Sequence, residues 1–257
     1  MEEVLYSAAE RIACVTLNRP DDENRMTPAV LQRLDGLIDT ISRDADIQVV
    51  IVSGAGAQFF SAGMLHPRIR AKLTKEEILG IVRLGNAVFD KLEALPQITI
   101  AALNGITRAG AAELSLACDL RIAAAHATFS LPEAKWGGFP GAGAPVRLPA
   151  IVGRARALEI LSTGRELDAQ EMERLGLTIE TAADALAAAR ELAGSIAACG
   201  PLAIRGAKRI VNARAEGGFR AARELSDKLR WALEDTHDLK EGTAALLEGR
   251  APKFTGR

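Results

Sequence analysis

Two glutamates, Glu113 and Glu133, stand in two neighbouring glycine-bearing segments, NGITRAGAAELSLACDLRIA (104 to 123) and ATFSLPEAKWGGFPGAGAPVRLP (127 to 149). Two carboxyl groups converging on one apolar pocket can take a proton from one atom of a substrate and deliver one to another. Glu133 follows Pro132 among Phe129, Leu131, Trp136 and Phe139, so partial desolvation should raise its pKa and suit it to proton donation. Each glutamate also has an ordinary reading. Glu113 falls in the first turn of an expected helix, where a carboxylate matches the positive end of the helix dipole, and Glu133 read alone is equally a solvated loop residue.

The elements that would position these acids can be read from the apolar pattern. IACVTL (12 to 17), VVIVSG (49 to 54), ITIAALNG (98 to 105) and LRIAAA (120 to 125) read as buried strands. A helix is expected from Pro28 to Ile41 behind the N-cap Thr27. A second should begin after Thr74, with Ile78, Ile81, Val82, Val88, Phe89 and Leu92 on its apolar face. The loop NGITRAGAAE (104 to 113) leads from a strand into a helix over Gly110 to Cys118, so free N–H groups and a positive dipole end face whatever binds there. In FFSAGMLHP (59 to 67), Gly63 can turn the backbone and leave the N–H of Met64 outward as a donor. From about 143 onward the pattern is almost wholly helical, with stretches at 182 to 198, 200 to 214 and 219 to 247. The pattern is an α/β core followed by a helical C-terminal subdomain.

Composition narrows the function classes. At 257 residues and 48% hydrophobic content, the chain can bury a sizeable core. The 32 Lys and Arg against 33 Asp and Glu leave a formal charge of −1, which gives no electrostatic case for nucleic acid or an anionic membrane. The start, MEEVLYSAAERIACV, has neither the basic opening nor the apolar run of a signal peptide, and no stretch reaches the roughly 20 apolar residues of a membrane span. The chain is therefore read as cytoplasmic. Cys14, Cys118 and Cys199 are read as buried reduced thiols, and His66, His126 and His237 are too scattered for a metal site.

Taken together these segments resemble the crotonase superfamily, the enoyl-CoA hydratases and isomerases, over nearly the whole chain. The resemblance rests on VTLNRPDDEN (15 to 24), FSAGM, NG…G…E…CDLRIA and, above all, the run in which Phe129, Pro132, Glu133, Gly137, Pro140, Gly141, Gly143, Arg147 and Leu148 fall in the family's places. It continues through LPAIVGRARALEILSTGREL and KRIVN to EGTAALLEGRAPKFTGR. It implies a crotonase-like spiral of repeated strand-strand-helix units over 1–195, with a helical C-terminal trimerisation region over 196–257. A homotrimer or a dimer of trimers would follow. The implied substrate is an acyl-CoA, with coenzyme A as part of the thioester and no metal or redox cofactor. Carried over position by position, Met64 and Gly110 form the oxyanion hole and Glu113 and Glu133 are catalytic, while Asn24, Arg25, Ala62, Leu65, His66, Trp136, Pro140 and Gly141 border the substrate.

The leading function is reversible addition of water to a 2-enoyl-CoA. A double-bond isomerase needs the Glu133 position and can dispense with Glu113, so both acids favour hydration. A crotonase-type carbon–carbon hydrolase of a cyclic β-diketone is a further alternative, and a non-catalytic RNA-binding or interaction member is disfavoured by the balanced charge and the two glutamates. The chain departs from simple hydratases at Met64 and Leu65, which thicken the acyl wall, at Arg108, Ala109 and Ala111 where glycine or small apolar residues are usual, and at Ala144 and Pro145. Glu23 stands where a basic residue often faces the CoA phosphates, with Arg25 as the substitute. His66 is read first as structural, with proton transfer as its other reading, and Trp136 is read as packing in the core or lining the acyl pocket.

Overall fold

Residues 2–257 are described by the computed structural model. The chain opens with an antiparallel hairpin, β1 (Val4–Ala9) and β2 (Ile12–Leu17), followed by α1 (Pro28–Arg43). A strand-strand-helix unit then repeats. The first unit is β3 (Val49–Gly54), β4 (Phe59–Ser61), a short α2 (Pro67–Arg70) and α3 (Lys75–Glu93). The second is β5 (Ile98–Leu103), β6 (Ile106–Arg108) and α4 (Gly110–Leu116). The third is β7 (Leu120–Ala124) and β8 (Thr128–Ser130), then a 3-10 turn over Pro132–Trp136, α5 (Ala144–Val152) and α6 (Arg154–Thr163). After β9 (Glu166–Asp168), α7 (Ala169–Arg174) and β10 (Glu180–Ala182) come α8 (Ala185–Ala197), α9 (Pro201–Glu234) and α10 (His237–Glu248).

The first strand of each unit joins one sheet and the second strand another, so the chain advances as a spiral. The larger sheet has the order β1-β2-β3-β5-β7-β10 and is parallel except at β1; the smaller has the order β4-β6-β8-β9 and is parallel except at β9. Every residue of β3 is buried, as its unbroken apolar run requires of a strand covered on both faces. The corners between sheets are held by side-chain amides. Asn104 Oδ1 accepts from Gly54 N at 3.0 Å while its Nδ2 donates to Gly56 O at 2.6 Å, binding the first corner to the second.

The Thr74 capping box starts α3 where the sequence places it, with the Thr74 hydroxyl and Glu77 carboxylate exchanging backbone bonds. Other expectations need correction. The region beyond 143 is not wholly helical: Glu166–Asp168 pairs with β8 and Glu180–Ala182 with β7, strands too short to show a period. The division at 195/196 falls inside α8, whose buried Ala185, Ala189, Ala193 and Ala197 face the core. The stretch 219 to 247 is two helices, parted where Thr236 caps α10 through Leu239 N at 3.2 Å, and α9 itself is interrupted at Gly218, φ 79°. Cys118 is buried, but Cys199 is exposed.

Among the described residues one ion pair ties α9 to the core, beside the Arg205 guanidinium bonds to Ala45 O and Ile47 O. Lys208 Nζ reaches Asp119 Oδ2 at 2.7 Å and Gln97 O at 2.9 Å, and Asp119 also accepts from the backbone and hydroxyl of Thr99. Truncating Lys208 leaves a carboxylate unpaired that is only about one-fifth exposed. Lys208→Ala should therefore lower the unfolding free energy by about 2–4 kcal/mol, measured by urea denaturation.

Candidate active site

The site forms where two corners of the spiral meet back to back. Gly63 has φ 87°, and a Cβ built there would lie 2.8 Å from Arg108 O and 2.9 Å from Gly110 N, so only glycine fits both the dihedral and the space. Ser61 Oγ accepts from Gly63 N at 3.0 Å and Gly63 O accepts from Met26 N at 3.0 Å, which fixes the turn. The N–H groups of Met64 and Gly110 are left without an acceptor among the described residues. Gly110 opens α4, where the backbone has no helical partner to offer it. Ala109, just before it, is held at φ 54° and ψ −125°, a conformation that costs an L-residue of order 1–3 kcal/mol. The Met64 side chain is wedged over Gly110 and Gly85, each of which a Cβ would bring within 2.8 Å of it.

Glu113, in the first turn of α4, is 2% exposed. Its Oε1 accepts from Ala142 N at 2.7 Å and Ala144 N at 3.1 Å. Burial pushes its carboxyl up to about 7, and the neighbouring Glu133 adds to the rise, against the opposing pull of the two backbone donors and Arg147. The loop that supplies those donors is itself pinned. Arg147, buried in α5, donates to Ala142 O at 3.1 Å and pairs with Asp90 at 2.5 Å and Glu93 at 2.8 Å. Gly143, φ 110°, leaves room for that guanidinium, since a Cβ there would collide with it.

Glu133, on the 3-10 turn, is also raised to about 7 by burial, with its own backbone donor and Arg108 pulling the other way. Its Oε2 is buried and has no hydrogen-bond partner among the described residues. Both acids border one pocket of about 470 Å³, together with Met64, Gly110, Leu65, Trp136 and Gly141. A half-buried wall of Ile78 and Val82 from α3 completes it.

The structure brings seven of the sequence-derived residues to this pocket and leaves five outside its lining. Asn24 is fully buried and works as a corner staple: Oδ1 accepts from Arg19 N at 3.0 Å and Nδ2 donates to Ala55 O at 2.9 Å and Phe59 O at 2.8 Å. Both polar atoms of its side chain are thus engaged with backbone rather than turned to a substrate. Arg25 is drawn into ion pairs with Glu23 and with Asp22, the latter at 3.7 Å, so its charge is already matched. Ala62 and Pro140 are buried behind the loops. His66 caps α2, its Nδ1 accepting from Arg68 N at 3.2 Å, and meets Trp136 edge-on at 6.4 Å. Partial burial and the nearby Arg25, Arg108 and Arg68 lower its pKa, which keeps the ring neutral near pH 7. Trp136 is 40% exposed and lines the pocket with Arg108 lying 5.6 Å over its ring, so it is a wall and not core. Arg70, Ile78 and Val82 escaped notice as pocket residues. Ile78 and Val82 were legible only as one face of an amphipathic helix, and that face covers the pocket as well as the core.

A two-sheet spiral with paired backbone donors and two desolvated carboxyls on one pocket is the setting of an acid–base enzyme that polarises a carbonyl oxygen, and proteins of similar sequence and fold give its family. The family model for enoyl-CoA hydratase/isomerase matches residues 7–257. The chain is 38% identical to YngF of Bacillus subtilis, named for enoyl-CoA hydratase/isomerase, over 96% of this chain and 95% of the relative. It is 31% identical to the short-chain-enoyl-CoA hydratase of Clostridium acetobutylicum over 97% and 96%. The crystal structure of enoyl-CoA hydratase from Bacillus anthracis superimposes with a TM-score of 0.96 at 34% identity over the whole of both chains. The chain belongs to the enoyl-CoA hydratase/isomerase family and has the crotonase fold.

The buried acid sets a pH dependence of stability. Because the folded pKa of Glu113, about 7, lies above the reference 4.5, the native state binds this proton more tightly than the unfolded chain does. Stability therefore falls as pH rises from 4.5 through about 7, and the penalty is full above that, of order 3 kcal/mol. Glu113→Gln, which cannot ionise, should be more stable than the parent at pH 8 by about 1–3 kcal/mol. At pH 4.5 the two should differ little, as followed by urea unfolding at both pH values.

Proposed function

We propose that the enzyme adds water reversibly to the double bond of a 2-enoyl-CoA, with Met64 N–H and Gly110 N–H holding the thioester oxygen. The observation that carries this reading is the pair of acids, both raised to about 7, on one pocket with two unpaired backbone donors. Fixed N–H dipoles favour the enolate oxygen, where charge develops, over the ground-state carbonyl; losing one such donor commonly costs about a hundredfold or more.

The surroundings of the two acids divide the labour. Both backbone donors go to Oε1 of Glu113, an arrangement that favours its ionised form and leaves Oε2 for a water. Glu113 is the base that takes a proton from water as its oxygen attacks the β-carbon. Glu133 has an orphan buried oxygen that is better satisfied by carrying a proton. It delivers that proton to the α-carbon as the enolate collapses. In the reverse direction Glu133 removes the α-proton and Glu113 protonates the departing hydroxyl. The two carboxyls titrate as a coupled pair.

This chemistry needs coenzyme A only as part of the substrate and calls on no metal or redox cofactor. The same reading takes the protein as cytoplasmic, without nucleic-acid or membrane partners, and as a homotrimer or dimer of trimers. In support of assembly, Phe219 and Trp231 on α9 and Leu246 and Leu247 on α10 are 71%, 81%, 82% and 83% exposed, a large apolar surface for an isolated chain.

Glu113→Gln and Glu133→Gln should each lower turnover of a 2-enoyl-CoA by at least about a hundredfold while the fold is kept. Retention of hydratase activity in Glu113→Gln would overturn the two-acid mechanism, whereas a parent enzyme that moves the double bond without adding water would favour isomerisation. The parent should show a bell-shaped kcat/KM against pH with its maximum near neutrality, because the reaction needs one acid ionised and the other protonated.

A further inference from the structure

The pocket continues past the two acids to a wall that hydration itself does not use. Glu113 is bonded to Ala142 N, and the neighbouring Gly141 lies against Val82, where a Cβ would come 3.2 Å from Val82 Cγ1. Val82 and Ile78 are one helical turn apart on α3 and share its pocket-facing side. The lining also includes Pro67, Arg70 and Ala71 from α2 and the residue after it. Gly141, Val82, Ile78 and Arg70 thus line the same pocket as the Met64 and Gly110 donors and Glu113.

Arg70 is the one cation among the residues that line the pocket, and the only acids lining it are Glu113 and Glu133. Arg68, on the same short helix, has no ion pair among the described residues either but does not line the pocket, and three other arginines are already engaged. Arg25 pairs with Asp22 and Glu23, Arg147 with Asp90 and Glu93, and Arg108 covers the Trp136 ring. Arg70 has neither an ion pair nor a side-chain hydrogen bond among the described residues.

We propose that Arg70 binds an anionic group at the far end of the acyl chain, so that the preferred substrates are 2-enoyl thioesters carrying a terminal carboxylate. The inference rests on the hydratase reading and names its substrate class. A guanidinium presents a planar fork that meets a carboxylate through two charge-assisted hydrogen bonds. A chain ending in methyl would instead press carbon against a hydrated cation and gain no bond in return.

The test compares two thioesters of equal chain length, one ending in a carboxylate and one in a methyl group. The parent should favour the carboxylated 2-enoyl-CoA in kcat/KM by about tenfold or more, the scale of a hydrogen bond to a charged group. Arg70→Met, which keeps an apolar stem and drops the charge, should lower that preference ratio by about tenfold, and Arg70→Lys should restore part of it. A parent without preference would overturn the proposal. So would an Arg70→Met enzyme whose ratio moves less than about threefold because both substrates lose equally, the result expected if Arg70 served the CoA half. Calorimetric binding of adipyl-CoA and hexanoyl-CoA gives the same ratio without turnover. If no 2-enoyl thioester is hydrated, the hydratase reading fails, while the binding ratio still supports or overturns the role of Arg70.

Discussion

Burying Glu113 where no cation touches it imposes a condition that much of the molecule exists to meet. A carboxyl taken out of water prefers to hold its proton, and the two amides that greet its Oε1 offset that preference only in part. Those amides belong to an irregular loop, so their aim depends on what fixes the loop. Arg147 does so from α5 by bonding Ala142 O, and it is held in turn by Asp90 and Glu93 on α3. Gly143 keeps the path clear. A buried guanidinium with two exposed acids on one side and a loop carbonyl on the other thus fixes the Glu113 donors without lining the pocket itself.

The spiral explains why the donors and the acids converge. Each turn sends one strand to each sheet, and the corner between the two strands recurs at nearly the same place from one turn to the next. Stacked corners bring the loop after β4 against the loop after β6, closely enough that Gly63 admits no side chain. The 3-10 turn after β8 adds Glu133 from the next level. Backbone strain at Ala109 and an orphan oxygen on Glu133 lie at this junction, local costs that the surrounding sheets sustain.

The sequence carried the long elements well because their signals are long. β2, β3, β5 and β7 appear as apolar runs, and Thr27 and Thr74 mark the starts of α1 and α3. The second sheet was silent, since strands such as Phe59–Ser61 and Ile106–Arg108 are too short for any period and are defined by their neighbours. The glutamates were legible from type and setting, while the fates of polar residues were not. The sequence pattern points Asn24 and Arg25 toward a ligand, but in the fold Asn24 finds backbone at a corner and Arg25 finds two acids. Arg70 shows the reverse case, an exposed arginine that nothing in the sequence singles out and that folding brings to the pocket lining.

Removal from water lifts both Glu113 and Glu133 to about 7, so that near neutral pH one of the pair can be ionised while the other keeps its proton. Carbon-13 NMR of enzyme labelled at the glutamate carboxyl carbons, with the two signals assigned from Glu113→Gln and Glu133→Gln, tests it directly. The account predicts two carboxyls that titrate with apparent pKa values near 7, each midpoint moving when the other acid is replaced. Titration of both near the ordinary 4.5, each indifferent to the other, would contradict it.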